Sequence, residues 1–160
     1  MTLAAPAAIT AAHRLDAFAC TDASLTDWLR SKALKNHASG ASRCFVVCDG
    51  DQVVGYYALA AGAVEQARVP GKIRRNMPQP IPVVVLGRLA VHRDYAGRGI
   101  GAGMLKDAVL RSQRAALDVG ARALLCHAID ESAKAFYLHH GFVQSPTDGL
   151  TLMLKLETTG

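Results

Sequence analysis

The chain has 160 residues, 51% of them hydrophobic and 6% aromatic, and a formal net charge of +5. That length fits one domain, expected here to span 1–160, with an ample core built mainly from Ala, Val and Leu. The positive charge points toward a polyanionic partner or a phosphorylated cofactor. No apolar run reaches the roughly 18 residues of a membrane helix, and no basic start leads into an apolar signal core. A soluble, cytoplasmic protein is therefore expected. Cys20, Cys44, Cys48 and Cys126 form no C-x-x-C pair, which favours reduced thiols over a metal site.

Residues 1–12 are Ala-rich, with Pro6, and read as a loose segment or an edge strand. Ser24–Ala38 reads as a helix, because Leu25, Trp28, Leu29 and Ala33 make one apolar stripe. Thr21 or Asp22 stands where its cap belongs, and Trp28 reads as core. Arg43–Cys48 and Gln52–Ala61 flank the turn signal Asp49-Gly50-Asp51 and form a hairpin. Cys44 and Cys48 share a strand face. Residues 65–82 contain Pro70, Pro78, Pro80 and Pro82, and set Arg68, Lys72, Arg74 and Arg75 against Glu65 alone. A basic loop with room for a short helix is expected there. Val83–Val91 is almost continuously apolar, as a central strand is. Ile100–Leu117 is a long amphipathic helix with Met104, Leu105, Ala108, Val109 and Ala116 on one face. Ala121–Ile129 is the next central strand. Glu131–His140 is a short helix that stops at Gly141. Phe142–Gln144 and Thr151–Leu156 complete the sheet around a Pro146–Gly149 turn. This order defines a mixed α/β fold with one central sheet.

Residues 94–105 read Asp-Tyr-Ala-Gly-Arg-Gly-Ile-Gly-Ala-Gly-Met-Leu, at the handover from strand to helix. Glycines let a backbone approach a ligand closely, and the free N–H groups of a helix start attract an anion such as a pyrophosphate. A P-loop would need Gly-Lys-Ser/Thr, and none follows. Gly97, Gly99 and Ala102 satisfy the dinucleotide fingerprint G-x-G-x-x-A. The acidic partner at the right spacing, Asp118, lies before the next strand instead of at its end, and repeated βαβ winding is absent. A plain glycine-rich turn is the bland alternative. Residues 96–101 also resemble the acyl-CoA loop Q/R-x-x-G-x-G/A of the GCN5-related N-acetyltransferases (GNAT), matching at Gly99 and Gly101. Ala96 departs from the Gln or Arg of the first position, which removes one side chain and leaves the backbone cradle.

A second stretch, Asp130-Glu-Ser-Ala-Lys-Ala-Phe-Tyr-Leu-His-His-Gly-Phe142, resembles the same superfamily's Asn-x-x-Ala-x-x-Phe-Tyr-x-x-x-Gly-Phe pattern, with Asp130 in place of Asn. Three further stretches are similar to a narrower group: Phe18–Val47, Val54–Leu59 and Pro82–Val91. They resemble the acetyltransferase toxins of bacterial type II toxin–antitoxin modules, and the likeness covers roughly residues 13–156. It implies a GNAT fold, with a single mixed central β-sheet, helices on both faces and a splayed central strand pair. It also implies acetylation, from acetyl-CoA, of the α-amino group on aminoacyl-tRNA, which blocks translation. A ribbon-helix-helix antitoxin partner and a homodimer go with that resemblance, and no membrane does.

The resemblance assigns roles residue by residue. Ala96, Gly97, Arg98, Gly99, Ile100, Gly101 and Ala102 would hold the pyrophosphate. The backbone of Leu89, Ala90 and Val91 would pair with the pantetheine arm, and an N–H near Leu89 would receive the oxyanion. Asp130, Ala133 and Phe136 would border the cofactor, and Tyr137 would act as general acid toward the leaving thiolate. A free α-amine has a pKa of about 7.7–8.0, so no strong base is required. His92, His127, His139 and His140 remain possible helpers, and no metal is expected. Charge places the tRNA on two basic patches. Arg30, Lys32, Lys35 and Arg43 lie together without an acid, and the 65–82 loop, with Arg74 and Arg75, carries the second cluster. Arg88 and Arg93 flank the strand between. A housekeeping acetyltransferase acting on a small amine, an antibiotic or a protein N-terminus shares these features. A non-catalytic acyl-CoA-binding module shares them too.

Overall fold

The computed structural model describes residues 3–157. Seven strands form one sheet in the order β1-β2-β3-β4-β5-β7-β6. The chain packs as two compact units, Met1–Ala60 with Gly87–Ala108, and Ala61–Leu86 with Val109–Gly160. Strands β3 (Gln52–Val64) and β4 (Ile81–Val91) and helix α3 (Ile100–Asp118) run through both.

In the first unit, edge strand β1 (Ala7–Ala8) pairs antiparallel with β2 (Arg43–Asp49), and β2 pairs antiparallel with β3. Helix α1 has three consecutive pieces: Ala23–Trp28, a π-helical turn Leu29–Ala33, and Leu34–Ser39. Asp22 is its cap and accepts from the amides of Ser24 at 2.8 Å and Leu25 at 3.3 Å. One side chain bonds into the helix backbone at the π turn. The Ser31 hydroxyl donates to the Asp27 carbonyl at 2.6 Å, the oxygen that the Ser31 amide would use in a regular helix. Phe18, Trp28, Leu29, Ala33, Cys44, Val46, Cys48 and Tyr56 share one core. Trp28 stacks on Tyr56 with ring centroids 5.8 Å apart, as its reading as core requires. Gly55 sits beneath the start of α3, where a Cβ would lie 3.1 Å from Ile100 Cγ2 and from Met104. The missing side chain thus lets the helix rest directly on the sheet.

In the second unit, the basic loop carries a single helical turn, Gln66–Arg68, and the short helix α2, Gly71–Arg74. Strand β4 pairs in parallel with β5 (Ala123–His127), from Val83↔Ala123 to Leu86↔Cys126. Helix α4 (Glu131–His139) leads to β6 (Val143–Gln144), which pairs with β7 (Thr151–Lys155). Val64, Val69, Ile73, Ile81, Val83, Ala123, Leu125 and Met153 make this unit's core. The observed elements follow the expected order, with shifted ends. Strand β3 runs to Val64 and β4 begins at Ile81, while β5 is trimmed at both ends. Strand length is set by ladder partners, which apolar character alone does not reveal. Among the described residues no helix is long and apolar enough to cross a membrane.

Candidate active site

The glycine loop belongs to the first unit. A helical turn, Arg93–Tyr95, leads out of β4 and is capped by His92. Gly97 and Gly99 then take φ of +77° and +81°, in the left-handed region that a residue with a Cβ adopts only at a cost. Nothing lies within 4 Å of the position a Cβ would occupy at either glycine or at Gly103, so the loop presents an open backbone surface. The first helical bond of α3 runs from the Gly103 amide to the Gly99 carbonyl at 3.0 Å. The amides of Ile100, Gly101 and Ala102 therefore have no carbonyl one turn earlier within the helix and aim outward at its positive end. Ala96 is exposed and contributes only backbone. The Arg98 guanidinium lies over the Tyr95 ring, 5.0 Å from its centroid. Leu89, Ala90 and Val91 occupy the last stretch of β4, beyond the positions that pair with β5.

Tyr137 lies in the second unit, and its motif has a direct physical meaning. Helix α4 is capped by Asp130, whose carboxylate accepts from the Ala133 amide at 2.8 Å. Asp and Asn cap equally well, so the exchange at this position preserves the helix start. At the other end Gly141 has φ +91°. The Gly141 amide donates to Leu138 O and the Phe142 amide to Tyr137 O, both at 3.1 Å. This is the paired-bond Schellman termination, with Phe142 packing back on the helix. The Phe142 and Tyr137 rings are 5.4 Å apart, and Phe136 lies edge-on to Tyr137 at 5.3 Å. The Phe-Tyr-x-x-x-Gly-Phe pattern is thus a device that fixes one tyrosine. Tyr137 is 7% exposed. Burial, and then the Cys126 thiol, push its phenol above the ordinary value. Among the described residues no group accepts a hydrogen bond from its hydroxyl. Ala133 and Phe136 are half-buried on the same helix.

The histidines divide clearly. His92 is buried and both of its nitrogens are committed: Nδ1 accepts from the Asp94 amide at 3.0 Å, and Nε2 donates to Ala17 O at 2.9 Å. It is structural. His139 and His140 lie exposed at the end of α4, where His140 packs against Phe136 at 4.8 Å. His127 is exposed at the end of β5 and bonds through Nδ1 to the Thr151 hydroxyl at 2.9 Å.

The basic residues also separate. Lys32 and Lys35 are exposed on α1. Arg30 and Arg43 are exposed too but tethered, Arg30 donating to the carbonyls of Asp16 and Phe18 and Arg43 to that of His37. Arg88 is half-buried, with its guanidinium 4.4 Å from the Trp28 ring centroid. Arg74 and Arg93 are exposed. Arg75 lines a cavity of about 500 Å³ with Lys72, Asn76, Arg122 and Lys155. Sequence reasoning missed Arg122 and Lys155 because they are distant along the chain. Pairing of Ala123 with Lys155 brings them together, and Arg122 Nε donates to Ile73 O at 2.7 Å, which ties it to the basic loop.

A mixed seven-stranded sheet, a glycine-rich helix start after β4 and a tyrosine fixed near the end of α4 define an acetyltransferase of the GNAT class. Residues 40–144 match the acetyltransferase (GNAT) domain family, and the chain belongs to it. Over 153 residues it is 50% identical to a tRNA-acetylating toxin of Mycobacterium tuberculosis, covering 96% of this chain and 92% of that protein. Among solved structures it is similar to AtaT complexed with acetyl-methionyl-tRNAfMet, with a TM-score of 0.89 and 30% identity over 96% of this chain and 95% of that one. It is also similar to a tyrosine-to-phenylalanine mutant of AtaT bound to the C-terminus of the antitoxin AtaR and acetyl-CoA. There the TM-score is 0.82 and the identity 28%, over 97% of this chain and 94% of that one.

Proposed function

We propose that the whole chain works as one acetyltransferase domain, a cytoplasmic toxin that uses acetyl-CoA to acetylate the α-amino group of aminoacyl-tRNA and so blocks translation. Its 50% identity, over 96% of its length, with a tRNA-acetylating toxin carries this reading. A ribbon-helix-helix antitoxin is its natural partner, consistent with the AtaR-bound relative. Self-association as a homodimer belongs to the same reading.

The residues present fit acetyl-CoA. Gly97 and Gly99 offer backbone with open space above it, and the Ile100, Gly101 and Ala102 amides offer donors to a pyrophosphate. Arg98 adds positive charge. Leu89, Ala90 and Val91 supply strand backbone for the pantetheine arm, with an amide near Leu89 for the oxyanion. Asp130, Ala133 and Phe136 border the cofactor beside Tyr137. Acetyl-CoA supplies the activated acetyl thioester. Tyr137 holds its proton on Oη at every working pH, because burial raises the phenol. A thiol pKa of about 8.5 lies below that of a phenol, so proton donation is uphill at rest by more than about 2 kcal/mol. The sulfur of an intact thioester is far less basic still, so the proton moves only as the C–S bond breaks. Lys32, Lys35, Arg74, Arg75, Arg88 and Arg93 serve the tRNA phosphates, and the Lys72–Arg75–Arg122–Lys155 cavity adds a further cluster of positive charge for them.

The test is a cell-free translation reaction. Purified protein should stop it only when acetyl-CoA is supplied, and added Tyr137→Phe protein should not. Arrest without acetyl-CoA would refute the reading.

A further inference from the structure

Resting on that functional reading, we infer that His127 is the general base for the attacking amine, and that Thr151 and Asp148 are its positioning residues. His127 Nδ1 lies 2.9 Å from Thr151 Oγ1, and that hydroxyl donates to Asp148 Oδ2 at 2.8 Å. A carboxylate only accepts, so the single Thr151 proton is spent on Asp148. Thr151 Oγ1 then accepts from His127 Nδ1–H, which leaves the lone pair on Nε2. Asp148 is itself fixed: its other oxygen accepts from the Leu150 amide at 3.0 Å, and Arg68 Nη2 stands 3.5 Å from Oδ2. The Thr151 hydroxyl above all, then the Leu150 amide and the Arg68 charge, hold the Asp148 carboxyl below its ordinary value. Ser145 Oγ pins this loop to Arg68 O at 2.6 Å. Thr151 is fully buried while His127 is exposed. The relay is therefore anchored inside and ends in an accessible basic nitrogen, the order of groups that orients a catalytic imidazole.

Its place in the fold fits the role. His127 immediately follows Cys126, the last residue of β5 paired with β4. Alternation along β5 puts His127 on the face of Ala123 and Leu125, which pack with Val69 and Ile73. Cys126 points to the other face, where it acts on the Tyr137 phenol. A proton acceptor and a proton donor thus stand on opposite faces of one strand end. In the reaction the neutral amine forms its C–N bond with the acetyl carbon, and His127 Nε2 takes one proton from that nitrogen. The C–S bond breaks with its electron pair on sulfur, and sulfur takes the Tyr137 proton. The imidazolium proton returns to the phenolate through water, so the products are the amide and the free thiol.

The experiment measures acetyl transfer by the purified full chain to a charged tRNA pool and to glycinamide, with acetyl-CoA binding and imidazole 15N NMR recorded in parallel. The wild-type His127 is expected to carry its proton on Nδ1, and Thr151→Val to shift it toward Nε2. His127→Gln and His127→Ala should lower kcat roughly a hundredfold or more, with acetyl-CoA affinity and the KM for tRNA unchanged. Added imidazole should restore part of the rate of His127→Ala. An Nε2–H tautomer in the wild type, or an undiminished kcat in His127→Gln, would overturn the inference while leaving tRNA acetylation standing. A wild type that acetylates glycinamide but not charged tRNA would overturn the functional reading instead, and the same variants would then decide the role of His127 on glycinamide.

Discussion

Gly141 offers the sharpest test of how the fold positions Tyr137. Replacing it with Ala adds a Cβ that meets only Leu154 Cδ1 at 3.9 Å, an ordinary contact. The cost is therefore conformational. A φ of +91° penalises an L-residue by about 1–2 kcal/mol. The reduced freedom of the unfolded chain returns about 0.4–1 kcal/mol. A net loss of about 1 kcal/mol should lower Tm by roughly 2–4 °C for a chain of this size. Asn, which tolerates the left-handed region, should cost less, and the β-branched Val should cost more. Relaxation of that φ breaks the Phe142 bond to Tyr137 O and frees the Phe142 ring, so kcat should fall in the same order, Asn then Ala then Val, with acetyl-CoA affinity held. Thermal unfolding, calorimetric titration with acetyl-CoA and steady-state acetylation measure the three quantities. Ala and Val variants with wild-type Tm, or a lowered Tm with full kcat in every variant, would refute the link between this helix stop and the tyrosine.

Four further outcomes are expected. Tyr137→Phe should reduce kcat by roughly 10²–10⁴-fold. In the wild type the rate should rise through the amine's pKa and hold to about pH 10, the ordinary phenol value, because the raised phenol keeps its proton; a descending limb at lower pH would count against Tyr137 as donor. Neutralising Lys72, Arg75 or Lys155 to Gln should weaken tRNA binding and reduce the slope of log K against log salt by about 0.7–0.9 for each phosphate no longer neutralised; an unchanged slope would exclude the cavity from the tRNA path. Gly55→Ala should force Ile100 and Met104 outward, since its Cβ would stand only 3.1 Å from each. That should cost about 1 kcal/mol and weaken acetyl-CoA binding, which calorimetry would detect.

Features set by neighbours along the chain are legible in the sequence. The Gly141 stop, the Asp130 cap position and the glycines at 97 and 99 are local devices, with geometry that follows from residue type. The π turn at Leu29–Ala33 is not legible there, because its apolar spacing is that of an ordinary helix. Strand ends also escape: β5 is shorter than its apolar run because Ala121 and Ala128 pack outside the ladder. The His127 relay joins residues 24 apart along the chain, and the cavity joins Arg75 to Lys155 across the sheet. No spacing rule connects either set. Composition locates much of the basic surface. It does not show that, of these four exposed residues, Arg30 and Arg43 are tied to backbone carbonyls.

The most direct measurement is transfer of labelled acetyl from acetyl-CoA to a charged tRNA pool, with uncharged tRNA as control. Label should appear on the charged pool alone and leave with the amino acid when the ester is hydrolysed. Label on uncharged tRNA, or none on charged tRNA from a protein that still binds acetyl-CoA, would contradict the proposal.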